Sequence, residues 1–321
     1  MKNNRIIDLC WHDDETKKIL ETRAKEAGFV IEYGRLKGRT EQDLIDATKG
    51  YVSVIAGDVE WFTPNVLEAI KDEMKAVMRW GVGYDKINTA AARERGIDVI
   101  IAGGGNSTAV ADLAVMYMLA LGRQICCFDK EVRAGKWTRR RSPQLLGKTV
   151  GIIGFGRIGT IVASFLTGFK CKVLVYDKYI TRDVYTRYGV QQASIDEIAR
   201  TCDYITLHTP LNDETRGMIN KDFFSKMKPT AYLINTSRGP VVNQADLYDA
   251  LANNVIAGAG IDVFEEEPIP KDSPLFSLDN IILSPHVAYN TNEANALTAE
   301  KLIDNLSAAL KGEFCADIVN P

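Results

Sequence analysis

The 321-residue sequence predicts an α/β protein built from two doubly wound parallel sheets. Two observations lead there. Short apolar runs alternate with helical patterns along the whole chain, which is the mark of βαβ units. A glycine-rich turn between an apolar run and a helix lies near the middle of the chain, so a complete α/β unit precedes it. At roughly 100–200 residues per domain, the length agrees with two domains.

Each element follows from local chemistry. Apolar runs at 5–9, 29–33 and 51–56 read as strands, separated by helices through 20–27 and over 41–48. Thr63-Pro64 reads as an N-cap with proline at the first helical position. A strand at 76–80, a helix over 89–94 and a strand at 97–101 complete the first unit. Ala102-Gly103-Gly104-Gly105 interrupts it, and consecutive glycines suit a hinge. Asn106 reads as the cap of one long helix, 107 to about 133, whose first half has almost no polar face. Such a helix must be buried on all sides, either between domains or in a homodimer interface. Strands then recur at 203–208, 231–235, 257–261 and 281–283. A last helix, 292–311, carries Leu297, Leu302, Ile303, Leu306 and Leu310 at helical spacing and is expected to cover the first unit. The reading is a discontinuous first domain, 1–101 plus 290–321, with a second domain, 102–289, inserted in it.

The central turn is Gly154-Phe155-Gly156-Arg157-Ile158-Gly159, between the apolar run 149–153 and a helix over 158–169. A second apolar run, 173–176, ends on Asp177, 18 residues beyond Gly159. The three glycines serve a tight turn, backbone approach to a pyrophosphate, and close helix–strand packing. The helix N-terminus offers N–H groups to the phosphates. Asp177 stands where a carboxylate accepts from the ribose hydroxyls, so the pattern predicts a Rossmann-like dinucleotide site with NAD preferred over NADP. Lys178 is the one adjacent cation that could receive a 2′-phosphate.

Composition narrows the class. A net charge of −3 and a pI near 5.8 give no footprint for nucleic acid. The N-terminal apolar run breaks at Asp8, unlike a signal peptide. The longest apolar run, 113–121, is far short of the roughly 20 residues of a membrane helix. Cysteines at 10, 126, 127, 171, 202 and 315 show no CxxC spacing and read as reduced, mostly buried thiols of a cytoplasmic protein. Three histidines (12, 208 and 286) without HExxH predict no catalytic metal. His12, within Trp-His-Asp-Asp-Glu, is expected to be solvated.

Four further motifs carry a family resemblance: Arg79-Trp80-Gly81-Val82-Gly83-Tyr84-Asp85, Ile234-Asn235-Thr236-Ser237-Arg238-Gly239, Gly260-Ile261-Asp262-Val263-Phe264-Glu265-Glu266-Glu267-Pro268, and Ser284-Pro285-His286. With the central turn, and in this order, they resemble the D-isomer-specific 2-hydroxyacid dehydrogenases over nearly the whole chain. The resemblance implies two Rossmann-like or flavodoxin-like domains with the active site in the cleft between them. Arg238 ends a strand, and its guanidinium fork suits a carboxylate and a keto oxygen together; the resemblance makes it the catalytic arginine. His286 can give or take a proton near neutral pH. The resemblance places the partner carboxylate at Glu267, leaving Glu265 and Glu266 as solvated bystanders. By the same resemblance Asp262 meets the nicotinamide carboxamide, and Thr236, Ser237 and Arg238 line that ring. Arg157 and Ile158 present N–H groups to the pyrophosphate, while Thr209, Pro210, Thr215 and Val110 border the cofactor. His208 either joins them or merely satisfies the end of its strand.

Substrate specificity is read from fewer residues. Gly81, Val82 and Gly83 place bare N–H groups in a turn that can receive a carboxylate, beside Arg79 and Trp80. Val82 stands where phosphite dehydrogenases of the family carry lysine. Glu267 stands where formate dehydrogenases carry glutamine. Arg79 and the run Arg139-Arg140-Arg141 resemble the phosphoglycerate dehydrogenase branch, although three arginines also suit a solvated turn. That branch is the first expectation, and a hydroxypyruvate or glyoxylate reductase is the alternative. A reading of another class is an NAD-sensing corepressor, which the lack of a proline-rich segment disfavours.

Overall fold

Adjacent apolar residues on each short strand decide the architecture. The computed structural model describes residues 4–57 and 59–321. It places β1 (Arg5–Asp8), α1 (Asp14–Glu26), β2 (Val30–Tyr33), α2 (Glu41–Thr48), β3 (Ser53–Ala56), α3 (Pro64–Ile70), β4 (Ala76–Arg79), α4 (Thr89–Glu94) and β5 (Asp98–Ile101) in succession. The strands form one parallel sheet, ordered β2-β1-β3-β4-β5. Successive side chains point to opposite faces. Ile7, Val54, Val77 and Val99 therefore enter one core with Val66, Leu67 and Ile97. Ile6, Ile55, Met78 and Ile100 enter the other with Leu20, Leu302, Ile303 and Leu306. The last three residues belong to the C-terminal helix, Asn292–Lys311, which covers this sheet.

The second sheet follows the same logic at larger size. Its elements are α5 (Ser107–Arg123), α6 (Ile125–Arg133), β6 (Thr149–Ile153), α7 (Arg157–Thr167), β7 (Lys172–Tyr176), α8 (Arg182–Tyr188), β8 (Gln191–Gln192), α9 (Ile195–Thr201), β9 (Tyr204–Leu207), α10 (Lys221–Lys226), β10 (Tyr232–Asn235), α11 (Gln244–Ala252), β11 (Gly258–Ile261) and β12 (Ile281–Leu283). The seven strands are parallel in the order β12-β11-β10-β9-β6-β7-β8. The chain divides into two compact units. One is the chain up to Asn106 with Tyr289–Pro321; the other is Ser107–Ala288. In each sheet the strand order reverses beside the first strand, at β1/β3 and at β6/β9. Such switch points open a crevice at the carboxyl ends of the strands.

Several expectations are corrected. The long helix is two, because Gln124 adopts a left-handed conformation (φ 52°) and α6 leaves α5 at 59°. Asn106 does not cap α5. Its Oδ1 is buried without a hydrogen bond, and the chain enters the helix through a turn over 103–106. Within a single chain α5 is not covered all round. It buries Ala111, Ala114, Tyr117, Met118 and Leu121 in the core of its own unit, where Tyr117 Cγ would lie 2.6 Å from a Cβ at Gly260. Thr108, Asp112, Met116 and Arg123 form an exposed stripe. Of the cysteines only Cys202 is buried, while Cys126 is exposed. Among the described residues no single helix is long and apolar enough to cross a membrane.

Candidate functional site

The switch point of the second unit is shaped by glycine. Gly154 has φ +93°, and a Cβ there would lie 2.6 Å from the His208 carbonyl and 2.8 Å from Thr209 N. A Cβ at Gly159 would collide with the Gly154 carbonyl, so α7 packs directly on the turn. Gly156 meets nothing within 4 Å and is the N-cap of α7, without a side-chain cap bond. The N–H groups at the start of α7, on Arg157 and Ile158, thus border open space at the positive end of the helix.

Around this turn the polar groups divide into those that build it and those left over. Asp177 Oδ2 accepts from Phe155 N at 2.7 Å, and Oδ1 accepts from Tyr179 N and Ile180 N at 2.8 and 3.2 Å. Lys178 is held by Glu214 at 2.6 Å. Thr215 Oγ1 donates to the Pro210 carbonyl at 2.7 Å and so closes the 210–215 loop. His208 lies 2.9 Å from Thr206 Oγ1, and burial pushes its imidazole down to about 3, so it is neutral. His208 Nδ1, Thr209 Oγ1 and Thr236 Oγ1 are buried without a hydrogen-bond partner. Three orphaned polar atoms beside an uncapped helix and a side-chain-free turn fit a dinucleotide. Val110 is buried on α5.

The proton-handling groups meet at the carboxyl ends of β10, β11 and β12. His286 Nδ1 lies 2.8 Å from Glu267 Oε2, while Glu267 Oε1 accepts from Phe264 N at 2.9 Å. Both carboxylate oxygens are thus engaged, which fixes the imidazole orientation. His286 itself is left-handed (φ 53°), a conformation costing about 1–3 kcal/mol outside glycine. Asp262 supports it. The His286 N–H donates to the Asp262 carbonyl at 2.8 Å, and the fully buried carboxylate accepts from Val287 N, Ala288 N and Ser284 Oγ. A carboxylate offers about four acceptor positions, so one remains for a ligand. Arg238 is half-buried, with Nη1 2.8 Å from the Ser237 carbonyl. Gly239 explains why it stands here: a Cβ would collide with the Phe264 carbonyl, so the Arg238 turn lies against the loop leading to Glu267.

Sequence reasoning passed over some supporting groups. Asn235 accepts from Ser237 N and Oγ at 3.0 and 2.7 Å and donates to the Arg238 carbonyl at 3.0 Å, so it builds the arginine turn. Tyr117 OH reaches Ser284 Oγ at 2.5 Å and, through it, Asp262. Asn235 was visible as a polar residue ending an apolar strand; Tyr117 carried no signal within an apolar helix.

In the first unit, Gly81 has φ +124°, and a Cβ there would lie 3.7 Å from Asn106 Nδ2 and 3.8 Å from Arg79 Nη1. Arg79 is buried, with Nη1 on the carbonyls of Ala56 and Trp80, and Trp80 is buried beside it. Burial pushes the Glu60 carboxyl up, opposed by backbone hydrogen bonds from Glu60 and Gly57 and, to a smaller extent, by the Arg79 charge. Val82 and Gly83 are half-exposed. Arg140 binds Glu131 at 2.8 Å over the Phe128 ring, while Arg139 and Arg141 are exposed. His12 corrects an expectation: it is 5% exposed, not solvated, and its ring lies 4.2 Å from that of Trp80.

The chain is similar to known proteins. Residues 115–288 match the D-isomer specific 2-hydroxyacid dehydrogenase NAD binding domain. The chain belongs to the D-isomer specific 2-hydroxyacid dehydrogenases. It is 40% identical over 254 residues to a glyoxylate reductase of Korarchaeum cryptofilum, covering 77% of this chain and 76% of that one. It is 35% identical over 285 residues to a D-3-phosphoglycerate dehydrogenase of Archaeoglobus fulgidus, covering 88% of this chain and 54% of that one. It therefore spans about half the length of the second relative. An acyclic imino acid reductase (Bsp5) solved with NADPH and D-Arg superposes with a TM-score of 0.85 at 26% identity, covering 98% of this chain and 99% of that one. With membership of this oxidoreductase family goes a nicotinamide cofactor and a small-molecule 2-hydroxy or 2-keto acid substrate.

Proposed function

We propose that the chain interconverts a D-2-hydroxy acid and its 2-keto acid with NAD, with the Ser107–Ala288 unit as the NAD-binding domain and the other as the substrate domain. The pairing of His286 Nδ1 with Glu267 at 2.8 Å carries the reading. With Nδ1 turned to the carboxylate, Nε2 is the nitrogen that gives a proton to O2 in reduction and takes it back in oxidation. Arg238 holds the carboxylate and polarises the carbonyl. When bound, the nicotinamide supplies or accepts the hydride at C2. Asp262 orients the carboxamide through its remaining acceptor position and fastens the His286 loop. The Gly81–Gly83 turn offers N–H groups suited to a carboxylate. NAD is preferred because Asp177 opposes a 2′-phosphate and Lys178 is occupied by Glu214.

The substrate we propose is a short unphosphorylated 2-keto acid of the glyoxylate or hydroxypyruvate kind, since Arg79 points inward and Arg140 is tied to Glu131 of α6. The exposed Arg139 and Arg141 favour the competing phosphorylated acid. A cytoplasmic setting is part of the proposal, supported by six cysteines that form no disulfide. The test compares kcat/KM for glyoxylate, hydroxypyruvate and phosphohydroxypyruvate with NADH and NADPH. NADH should lead by at least about tenfold, the scale of one 1.4 kcal/mol interaction, and hydroxypyruvate should exceed its phosphate ester. A phosphorylated substrate ahead by tenfold would return the chain to the phosphoglycerate reading; no turnover of any 2-keto acid would remove the enzyme.

A further inference from the structure

The end of β1 carries a cluster that the oxidoreductase chemistry does not use. Asp8, Cys10 and His12 stand at a spacing of two, and a bend at Cys10 just beyond β1 gathers their side chains. The ladder runs as far as Leu9, whose N–H donates to the Ile55 carbonyl at 3.0 Å. Asp8 is fully buried and His12 is 5% exposed, with the Trp80 ring against the imidazole. One carboxylate, one imidazole and one thiol thus offer donor atoms that all lie within 4.8 Å of one another.

The geometry of the pair inside this cluster is unusual for an ion pair. Asp8 Oδ1 accepts from Cys10 N at 2.9 Å, so the carboxylate is oriented. Its Oδ2 lies 3.0 Å from His12 Nε2, yet neither atom makes a hydrogen bond. Buried polar atoms in folded proteins rarely stay unsatisfied without a reason. Two ligands of one tetrahedral zinc lie about 3.3 Å apart at Zn–N and Zn–O lengths of about 2.0–2.1 Å, near each other but not directed at each other. The observed separation is close to that value.

We propose that Asp8, Cys10 and His12 bind one zinc ion. The donor set selects this class of cation: thiolate and imidazole favour a borderline-soft transition metal over magnesium or calcium. Binding removes the thiol proton to solvent and uses the neutral imidazole, so the carboxylate and thiolate together balance a dication. The buried set then carries no net charge, as a low-dielectric site requires. Glu60 borders the site without joining it: a Cβ on Gly57 would lie 3.4 Å from both Cys10 Sγ and Glu60 Oε2. Three protein ligands leave one position for water. The ion would pin the exit of β1 to the segment that leads into α1, where Asp13 already caps the helix through Thr16 N at 2.7 Å.

The test uses the full chain, stripped with chelator and titrated with cobalt(II) or zinc(II) alone. One equivalent of cobalt should bind with an intense tetrahedral visible spectrum and a thiolate-to-cobalt charge-transfer band. Zinc should displace it and raise Tm. Cys10→Ser should lose the charge-transfer band, and His12→Gln should weaken binding by more than about tenfold. Cys126→Ser, at the exposed thiol, should change neither. Circular dichroism of the metal-free variants establishes that each folds. No stoichiometric uptake by the parent would leave a tilted Asp8–His12 ion pair and overturn the proposal. So would a charge-transfer band that survives Cys10→Ser.

Discussion

At the scale of single residues, the chemistry depends on what holds each group still. Glu267 has both oxygens occupied, by His286 and by the Phe264 N–H, so it cannot turn away from the imidazole. A negative neighbour favours the protonated ring. Keto reduction needs that proton, so Glu267→Gln should shift the alkaline limb of the reduction profile to lower pH while NADH binding persists. His286→Ala should lose roughly 10²–10⁴-fold in kcat. An unshifted profile in Glu267→Gln would take the glutamate out of the relay. These residues were legible because each sits in a short motif at a strand end. His12 was misread for the opposite reason: the charges of Trp-His-Asp-Asp-Glu suggest solvent, and nothing local announces that Trp80 will cover the ring.

At the scale of elements, the β6–α7 junction is where sequence and structure are most tightly bound. Gly159 is within α7, where alanine ordinarily favours a helix. Here a Cβ would strike the Gly154 carbonyl, a backbone atom that cannot rotate aside. Gly159→Ala should therefore destabilise by about 1–3 kcal/mol, the range of overpacking, and weaken NADH binding measured by fluorescence titration. Unchanged affinity and Tm would show that the turn tolerates the shift. Most strands were readable because each is short and apolar; β2 is only partly buried, and β8, an exposed Gln191-Gln192 pair, carried no apolar signal. Strand ends moved by a residue or so: the run 203–208 became Tyr204–Leu207, with the Asp203 and His208 N–H groups still donating to the Thr149 and Ile153 carbonyls of β6. The helices α8 to α11, of 6 to 9 residues, were not individually read. Their two turns offer too few apolar positions to establish a period. The break at Gln124 was invisible, since a positive φ there rests on no glycine or proline.

At the scale of the whole molecule, the chain leaves an apolar surface outside its own cores. α6 has no buried residue; it exposes Ile125 and Val132, and the segment that follows exposes Trp137 and Leu146. We propose that a second copy covers this region, giving a homodimer through the segment that begins at Ser107. Sedimentation equilibrium should give twice the 35.5 kDa chain mass, and Ile125→Lys with Val132→Lys should shift it toward monomer with kcat/KM for small substrates largely kept. A monomer at micromolar concentration would remove the dimer. The discontinuity of the first unit has a different consequence, one of timing. Its second core lacks Leu302, Ile303 and Leu306 until the last helix has been made. A ribosome adding about 5–20 residues per second needs roughly 10–40 s to produce the intervening unit. For that interval the nascent N-terminal sheet waits with that apolar face covered only in part, by Leu20 and Ala24 of α1. The inserted unit is the first to have all its residues, and the N-terminal half is the part of the newborn chain most in need of a chaperone.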